Sequence, residues 1–337
     1  MKRGQVYDLP SPIDEEILLP HPPGDKLSMK DSFKPRLWHW QIGIPATLIG
    51  IGVLIYVFFF MTATLGRDSI EVGKMERTYL VHLPPQYDGK KPSPLVLALH
   101  PLNGNGRTME WISEFDRVAD QNGAIVVYPD GYKSSWADGS GQFDADQDGI
   151  DDVTFISALI SQLTERLAAD RTRVYVIGFS NGGFLGQRLA CQLPAKLAAV
   201  ATVGAVLAEN MYTQCNPQTP IPFIMINGTS DKSVPWEGKA RLSTVPATVS
   251  KWAVVTRCAT KLPISYVPLL SKDRLPVRRE AYTGCQNDAD VMLYAVEGGS
   301  HKWYGGGDLL QFSLPGSASK EIDSSSVIWD FLKNHRR

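Results

Sequence analysis

Residues 173–193, RVYVIGFSNGGFLGQRLACQL, decide how the rest of the chain is interpreted. The segment begins with the apolar run 174–177, which is typical of a short strand buried on both faces. It ends with a periodic stretch, residues 184–193, that predicts a helix. Between them residues 178–183 match the pattern G-x-S-x-G, so we expect Ser180 on a sharp strand-to-helix turn.

The same alternation of strand-like and helix-like segments continues on both sides. Residues 78–83 alternate apolar and polar side chains, and five more apolar runs cover residues 95–99, 124–128, 198–203, 221–226 and 291–296. Helix-like stretches cover residues 153–167, where Asp151 or Asp152 can cap the start, 249–255 and 326–332. This pattern predicts an α/β fold with a doubly wound, mostly parallel sheet over residues 67–337.

A serine on such a turn needs a base to remove its proton. In a strand–turn–helix serine site of this kind, an acid and then a histidine follow the serine along the chain. Only His301 and His335 follow Ser180, and His335 lies in the charged C-terminal sequence NHRR, which we expect to be solvated. His301 follows the last apolar run in a glycine-rich loop, so we predict that His301 is the base.

Asp231 is the predicted acid, because it follows the apolar run 221–226 directly. Its role would be to fix the tautomer of the imidazole and to stabilise the imidazolium ion. Asp288 and Asp290 are the rivals, but they precede the last strand and belong at the opposite end of the sheet. For the oxyanion hole we predict the backbone N–H groups of Asn181 and Leu102, since Pro101 has no N–H to offer.

Three tryptophans, Trp136, Trp236 and Trp303, are predicted to bind substrate, because aromatic faces suit feruloyl groups, sugars and polyester chains. Ordinary packing is the alternative for each of them. The acidic sequence 144–149 begins like a calcium loop, but Phe155 stands where an acidic ligand is needed. We therefore expect a solvated loop, with a bound cation as the alternative, and we predict no metal site and no cofactor.

The N-terminal part predicts a membrane anchor. Residues 1–36 form a Pro-rich tail that we expect to be disordered. Residues 42–65 carry no charge and, as a helix, would span about 36 Å, enough to cross a bilayer. We therefore predict a signal-anchor helix over residues 37–66 that contacts the lipid bilayer through residues 42–65, with the catalytic domain outside the cytoplasm. Secretion after signal cleavage and a buried core helix are the alternatives.

Charge and cysteine content exclude several classes of function. The formal net charge is −1, and no basic patch favours nucleic acid as a partner. The four cysteines have no C-x-x-C spacing, which argues against a zinc site. In an extracytoplasmic domain they would form two disulfides, whereas in a reducing compartment they would stay thiols. No obligate protein partner is evident.

Taken together, several ordered motifs resemble the polyhydroxybutyrate depolymerase and feruloyl esterase-like branch of the α/β hydrolases over residues 77–331. The motifs are residues 99–100, 151–152, 178–183, 228–236 and 298–307. The resemblance implies a triad of Ser180, Asp231 and His301, and the cysteine pairs Cys191–Cys215 and Cys258–Cys285. The chain departs from the family pattern at Pro101, at Asn227 and in the sequence HKWYG at residues 301–305, where the family usually has HTWPG.

These observations predict a serine carboxylic ester hydrolase that forms an acyl-enzyme. Polyesters, feruloylated or acetylated polysaccharides and small esters all remain open as substrates. Acyl transfer by the same triad is one alternative function. A non-catalytic cell-surface binding module on a hydrolase fold is another.

Overall fold

The computed structural model describes residues 67–268, 275–307 and 322–337. In these residues eleven strands form one mixed sheet. The strands are β1 (Asp68–Val72), β2 (Met75–His82), β3 (Ser93–Leu99), β4 (Ile125–Pro129), β5 (Ala169–Phe179), β6 (Ala199–Val203), β7 (Phe223–Gly228), β8 (Thr260–Lys261), β9 (Ser265–Tyr266), β10 (Val277–Thr283) and β11 (Val291–Val296). Their order is β1-β2-β4-β3-β5-β6-β7-β11-β10-β8, and β9 also pairs with β10.

Helices connect most of these strands. The α-helices are α1 (Gly106–Ser113), α2 (Phe115–Asn122), α3 (Asp144–Gln147), α4 (Asp152–Arg166), α5 (Asn181–Gln192), α6 (Glu209–Gln214), α7 (Val245–Val255) and α8 (Ser324–Leu332). A 3₁₀ turn covers Gln286–Asp288. Asp151 is the N-cap of α4, because its side chain accepts a hydrogen bond from the Thr154 amide.

The centre of the sheet is parallel, as the sequence predicts. The neighbours β4–β3, β3–β5, β5–β6, β6–β7 and β7–β11 all pair in parallel. Every residue of β4, β6 and β7 is buried, which explains why these strands are continuous apolar runs. Antiparallel strands complete the two edges, with β1 and β2 on one side and β10 on the other.

Helices cover both faces of the sheet, so the fold is doubly wound. One face packs against α4, α5, α6 and α7, where the rings of Phe223 and Trp252 stack 4.4 Å apart. The other face packs against α1, α2 and α8, where Trp329 meets Tyr175 and Phe115 edge-on. The carboxyl ends of the parallel strands therefore form one edge at which loops from several strands meet.

Two disulfides have the predicted pairing. Cys191, on α5, is bonded to Cys215, which follows α6, and Cys258 is bonded to Cys285. The second bond joins the end of α7 to the turn between β10 and β11. Both pairs close loops of similar length along the chain.

The predicted tail, residues 1–36, and the predicted membrane helix, residues 37–66, lie outside the described residues, and both stay predictions. Within residues 67–268, 275–307 and 322–337, no helix is long and apolar enough to cross a bilayer.

A buried ion pair joins strand β2 to the start of α4. The Arg77 guanidinium donates to an Asp152 carboxylate oxygen at 2.7 Å, and both residues are buried. The other Asp152 oxygen accepts from the amide of Ala137 at 2.7 Å. The guanidinium also lies 3.9 Å above the ring of Phe155. Burial raises the pKa of Asp152, although the positive charge of Arg77 opposes that change.

We expect Arg77→Met to lower the free energy of unfolding by about 3–5 kcal/mol, because it leaves the Asp152 carboxylate buried without its partner. Urea unfolding at pH 7 measures the change. Arg107→Met is the matched control, since Arg107 pairs with Glu110 at the surface and should contribute less than about 1 kcal/mol. Equal losses in the two variants would contradict the prediction.

Candidate active site

Ser180 occupies a strained turn between β5 and α5. Its φ is 53° and its ψ is −121°, a conformation that residues other than glycine rarely adopt. The turn is tight because two glycines let the backbone segments approach. A Cβ at Gly178 would lie 2.3 Å from the Gly182 carbonyl oxygen, and a Cβ at Gly182 would lie 2.3 Å from the Leu99 oxygen. The strand–turn–helix context predicted for Ser180 is therefore present.

The backbone around Ser180 is fixed on both sides. The Ser180 amide donates to the carbonyl of Val203 on β6 at 3.0 Å, and its own carbonyl accepts from Phe184 at 2.9 Å. Asn181 is the first residue of α5, so its N–H has no acceptor within the helix. The positive end of the helix dipole adds to the attraction of this N–H for negative charge. This N–H and the helix dipole would therefore stabilise an oxyanion that develops near Ser180.

Asp231 and His301 form a hydrogen-bonded pair. Nδ1 of His301 lies 2.7 Å from Oδ2 of Asp231, whose side chain is fully buried. The other carboxylate oxygen, Oδ1, accepts from the amides of Ser233 and Val234, each at 2.8 Å. The imidazole stacks on the ring of Phe179, with centroids 4.9 Å apart. Since Phe179 directly precedes Ser180, this stacking brings His301 to the turn that carries the serine.

The loops that carry the acid and the base are bound to each other. The Gly298 amide donates to the Thr229 hydroxyl at 2.8 Å, and the Ser230 amide donates to the Gly299 carbonyl at 2.9 Å. The strands that precede these loops, β7 and β11, are parallel neighbours. This arrangement explains why residues 70 positions apart in the sequence meet at one end of the sheet.

His100, which chain order excludes as the base, holds the loop that carries Leu102. Its Nε2 accepts from the Gly131 amide at 2.8 Å, so its Nδ1 carries the proton and donates to the Pro101 carbonyl at 2.8 Å. The side chain is fully buried, and burial lowers the pKa of His100 to about 4. His100 is therefore neutral at ordinary pH. The Leu102 side chain is partly exposed, and the role of its N–H stays a proposal.

The side chain of Asn181 also forms hydrogen bonds, which its position after Ser180 in the sequence does not predict. Its Oδ1 accepts from the Trp136 amide at 2.8 Å, and its Nδ2 donates to Asp138 at 2.8 Å. The Trp136 indole is fully buried and donates to the His100 carbonyl at 2.9 Å. Trp136 thus links the serine turn to the loop of His100, and packing explains its position.

The other two tryptophans differ in exposure. Trp303 is 6 % exposed, and its indole donates to the Ser325 hydroxyl at 3.0 Å, so it too belongs to the packed interior. Trp236 is half-buried, with the Arg278 guanidinium 5.5 Å from its ring. Of the three, Trp236 keeps the most surface that a ligand could contact, and a substrate role for it stays a proposal.

The acidic sequence 144–149 contains α3, and its carboxylates bind neighbouring groups. The Asp146 carboxylate accepts from the amides of Gly139 and Gly141, each at 3.0 Å, and Asp148 pairs with Lys133 at 2.7 Å. Across the described ranges, no group of three or more His, Cys, Asp or Glu side chains is placed to hold a metal ion. Beside this loop, Asp138 accepts from the Ser140 amide at 2.8 Å.

Burial, with a smaller contribution from the charge of Asp146, raises the pKa of Asp138 to about 7. An unfolded aspartate titrates near pH 4, so the folded protein binds this proton more tightly than the unfolded chain does. We therefore expect this group to stabilise the fold fully below about pH 4 and progressively less as the pH rises to about 7, with a slope of up to about 1.4 kcal/mol per pH unit.

Urea unfolding of the wild type and Asp138→Asn between pH 4 and 8 tests this expectation, because the variant should lose that part of the slope. Asp144→Asn is the control, because Asp144 is an exposed residue at the start of the neighbouring helix α3. An unchanged slope in Asp138→Asn would argue against the assignment.

Comparisons with known proteins find similar sequences and similar folds. The family described as Phospholipase/Carboxylesterase matches residues 131–261, which include Ser180 and Asp231. "Putative esterase NocK" from Nocardia uniformis subsp. tsuyamanensis is 27 % identical over 288 residues, 80 % of this chain and 82 % of that protein. Feruloyl esterase B from Piromyces equi is 30 % identical over 262 residues, 71 % of this chain but only 46 % of that protein.

Among solved structures, a thermostable esterase superposes with a TM-score of 0.54 at 15 % identity, covering 80 % of this chain and 63 % of that one. The acetyl xylan esterase from Aspergillus awamori gives a TM-score of 0.50 at 14 % identity, covering 70 % and 94 %. The chain is a carboxylic ester hydrolase of the α/β-hydrolase fold. In this hydrolase β8, β9 and β10 extend the sheet beyond β11.

Proposed function

We propose that this hydrolase cleaves carboxylic esters through an acyl-enzyme on Ser180, with His301 as base and Asp231 as the acid that orients it. One observation carries the proposal: the His301 imidazole is hydrogen-bonded to the buried Asp231 and stacked on the residue before Ser180. The buried carboxylate leaves Nε2 as the nitrogen free to accept a proton.

In the proposed reaction the Ser180 hydroxyl oxygen attacks the ester carbonyl while its proton passes to Nε2 of His301. The N–H groups of Asn181 and Leu102 stabilise the negative charge on the carbonyl oxygen. The imidazolium then gives its proton to the leaving alkoxide as the ester bond breaks. Water, deprotonated by His301, attacks the acyl group, which leaves as the acid and restores the Ser180 hydroxyl.

For the substrate we propose feruloyl or acetyl esters of polysaccharides. The names of the relatives support this choice, since they include feruloyl esterases and a bifunctional acetylxylan esterase/xylanase. The half-buried ring of Trp236, which follows the Asp231 loop, offers an aromatic face to an aryl group or a sugar. Polyesters and small esters are the competing substrates that the test must include.

A fluorophosphonate probe, followed by peptide mass spectrometry, tests the nucleophile, and we expect one adduct at Ser180. A substrate panel of methyl ferulate, acetylated xylan, polyhydroxybutyrate and p-nitrophenyl acetate then ranks the acyl groups. Adding a competing alcohol separates hydrolysis from acyl transfer, because a transferase would release the new ester. Folded protein that neither reacts with the probe nor hydrolyses any ester would support a binding module instead.

We also propose that the catalytic domain is held at a membrane, outside the cytoplasm. The charge-free residues 42–65 support an anchor, and two disulfides support an oxidising compartment. Alkaline extraction of membranes from cells that express the whole chain tests the anchor. Release of full-length protein by carbonate alone, or recovery of a shortened soluble form, would exclude it.

A further inference from the structure

Tyr304 lies beneath the loops that carry Asp231 and His301, and no step of the proposed reaction uses it. It is 1 % exposed and belongs to the core on the α8 face of the sheet. Its carbonyl accepts from the amide of Ser324, the first residue of α8, at 2.8 Å. This bond holds the backbone of Tyr304 against the start of α8, and the Tyr304 hydroxyl reaches the two loops.

The hydroxyl reaches the peptide group that leads into the base. Oη of Tyr304 donates to the carbonyl oxygen of Ser300 at 2.6 Å. That carbonyl and the N–H of His301 belong to one planar peptide unit, so the hydrogen bond restrains its orientation. The direction in which the His301 side chain leaves the backbone is restrained with it.

Both loops leave space for this hydroxyl. A Cβ at Gly228, which ends β7 three residues before Asp231, would lie 2.5 Å from Oη of Tyr304. A Cβ at Gly299, two residues before His301, would also lie 2.5 Å from it. The hydroxyl therefore occupies the junction at which the acid loop and the base loop approach each other.

Electrostatics keeps this hydroxyl a donor. Burial, and after it the negative charge of Asp231, raises the pKa of Tyr304 well above its ordinary value. The phenol thus stays protonated over any pH at which the proposed reaction runs.

We propose that Tyr304 is a positioning residue of this site: its hydroxyl, held between Gly228 and Gly299, fixes the Ser300–His301 peptide and so keeps the imidazole aligned with Asp231. The inference rests on the proposed function and adds to it a group that acts through His301 without touching substrate. Geometry of this kind affects rate strongly, since small displacements of a catalytic group can cost a large part of kcat.

Tyr304→Phe tests the inference, because it removes the hydroxyl and keeps the ring. We expect kcat for p-nitrophenyl acetate to fall about tenfold, with KM changed by less than about twofold. Tyr175→Phe is the matched control, since Tyr175 is equally buried in the same core and its hydroxyl donates to the His335 carbonyl at 2.8 Å. Both variants lose one hydrogen bond to a backbone carbonyl, but we expect Tyr175→Phe to keep kcat within about twofold of the wild type.

A double-mutant cycle with Asp231→Asn separates positioning from general stability. If Tyr304 acts by aligning the imidazole with Asp231, Tyr304→Phe should lower kcat by less than about twofold when Asp231 is already replaced. An undiminished loss in that background, a wild-type kcat in Tyr304→Phe, or an equal loss in Tyr175→Phe would overturn the inference. Full activity of Asp231→Asn by itself would instead refute the proposed function.

Thr229 provides a second test in case Tyr304→Phe does not fold. Its hydroxyl accepts from the Gly298 amide across the same two loops. Thr229→Val should lower kcat as Tyr304→Phe does, and Thr229→Ser, which keeps the hydroxyl, should restore it. Wild-type kcat in folded Thr229→Val would count against positioning by these loops.

Discussion

Ser180→Ala is expected to lower kcat for ester hydrolysis by about 10⁶-fold, because it removes the hydroxyl on which the proposed acyl-enzyme forms. The oxyanion donors and the binding surface would remain, so a small rate above that of water should persist. The stability should hardly change. Alanine has the same Cβ as serine, so the strain at φ 53° is the same in both proteins.

The measurement is kcat for p-nitrophenyl acetate, together with the melting temperature and labelling by the fluorophosphonate probe. Ser157→Ala, a serine on α4 away from the serine turn, is the control and should keep full activity and labelling. A Ser180→Ala protein that turns over ester at more than about one per cent of the wild-type rate would require a different nucleophile.

The sequence predicts the centre of this fold better than its edges, and the reason is burial. The runs that become β3, β4, β5, β6, β7 and β11 are continuous and apolar because both faces of these strands are covered. Strand β10, which lies between β11 and the short strands β8 and β9, is not predicted by the sequence, because VRREAYT holds three charged residues in a row. It pairs with β11 across a turn, and the hydrophobic pattern of its own sequence does not predict this pairing.

The site shows the same division. Ser180, Asp231 and His301 stand at the ends of recognisable strands, so chain order and the glycine pattern point to them. The supporting contacts of His100, Asn181 and Tyr304 are hydrogen bonds between residues 4 to 45 positions apart. Each of these bonds forms only because the tertiary fold brings particular loop residues together, so no local sequence pattern predicts it. For Trp136 and Trp303 the sequence leaves packing and substrate binding open, because an indole in a loop is consistent with either, and the structure places both side chains in the packed interior.

Asp231→Asn is expected to lower kcat by about 10⁴-fold with little change in the fold, and the hydrogen bonds around the carboxylate explain why. Oδ1 accepts from two backbone amides, those of Ser233 and Val234. In the variant the side-chain oxygen of the new asparagine must occupy the position of Oδ1, because an NH₂ group at that position would face two N–H donors. The NH₂ group is then directed at Nδ1 of His301.

A donor at that place reverses the tautomer of the imidazole. In the wild type Nδ1–H donates to Oδ2 of Asp231 and Nε2 is free to accept a proton. In Asp231→Asn, Nδ1 must accept, so the proton moves to Nε2 and the nitrogen that should deprotonate Ser180 is already occupied. We expect the geometry of the three side chains to stay nearly the same. The fall in kcat would then come from the position of the proton on the imidazole.

Kinetics and a crystal structure of the variant together decide this point. We expect kcat to fall, KM to change little, and the His301 ring to stay stacked on Phe179. Asp290→Asn is the control, because that carboxylate stands at the opposite end of β11 from His301 and should leave kcat within about twofold of the wild type. If Asp290→Asn lost activity and Asp231→Asn kept it, the acid would belong to the other end of the strand, and the hydrogen bond between residues 231 and 301 would have no part in catalysis.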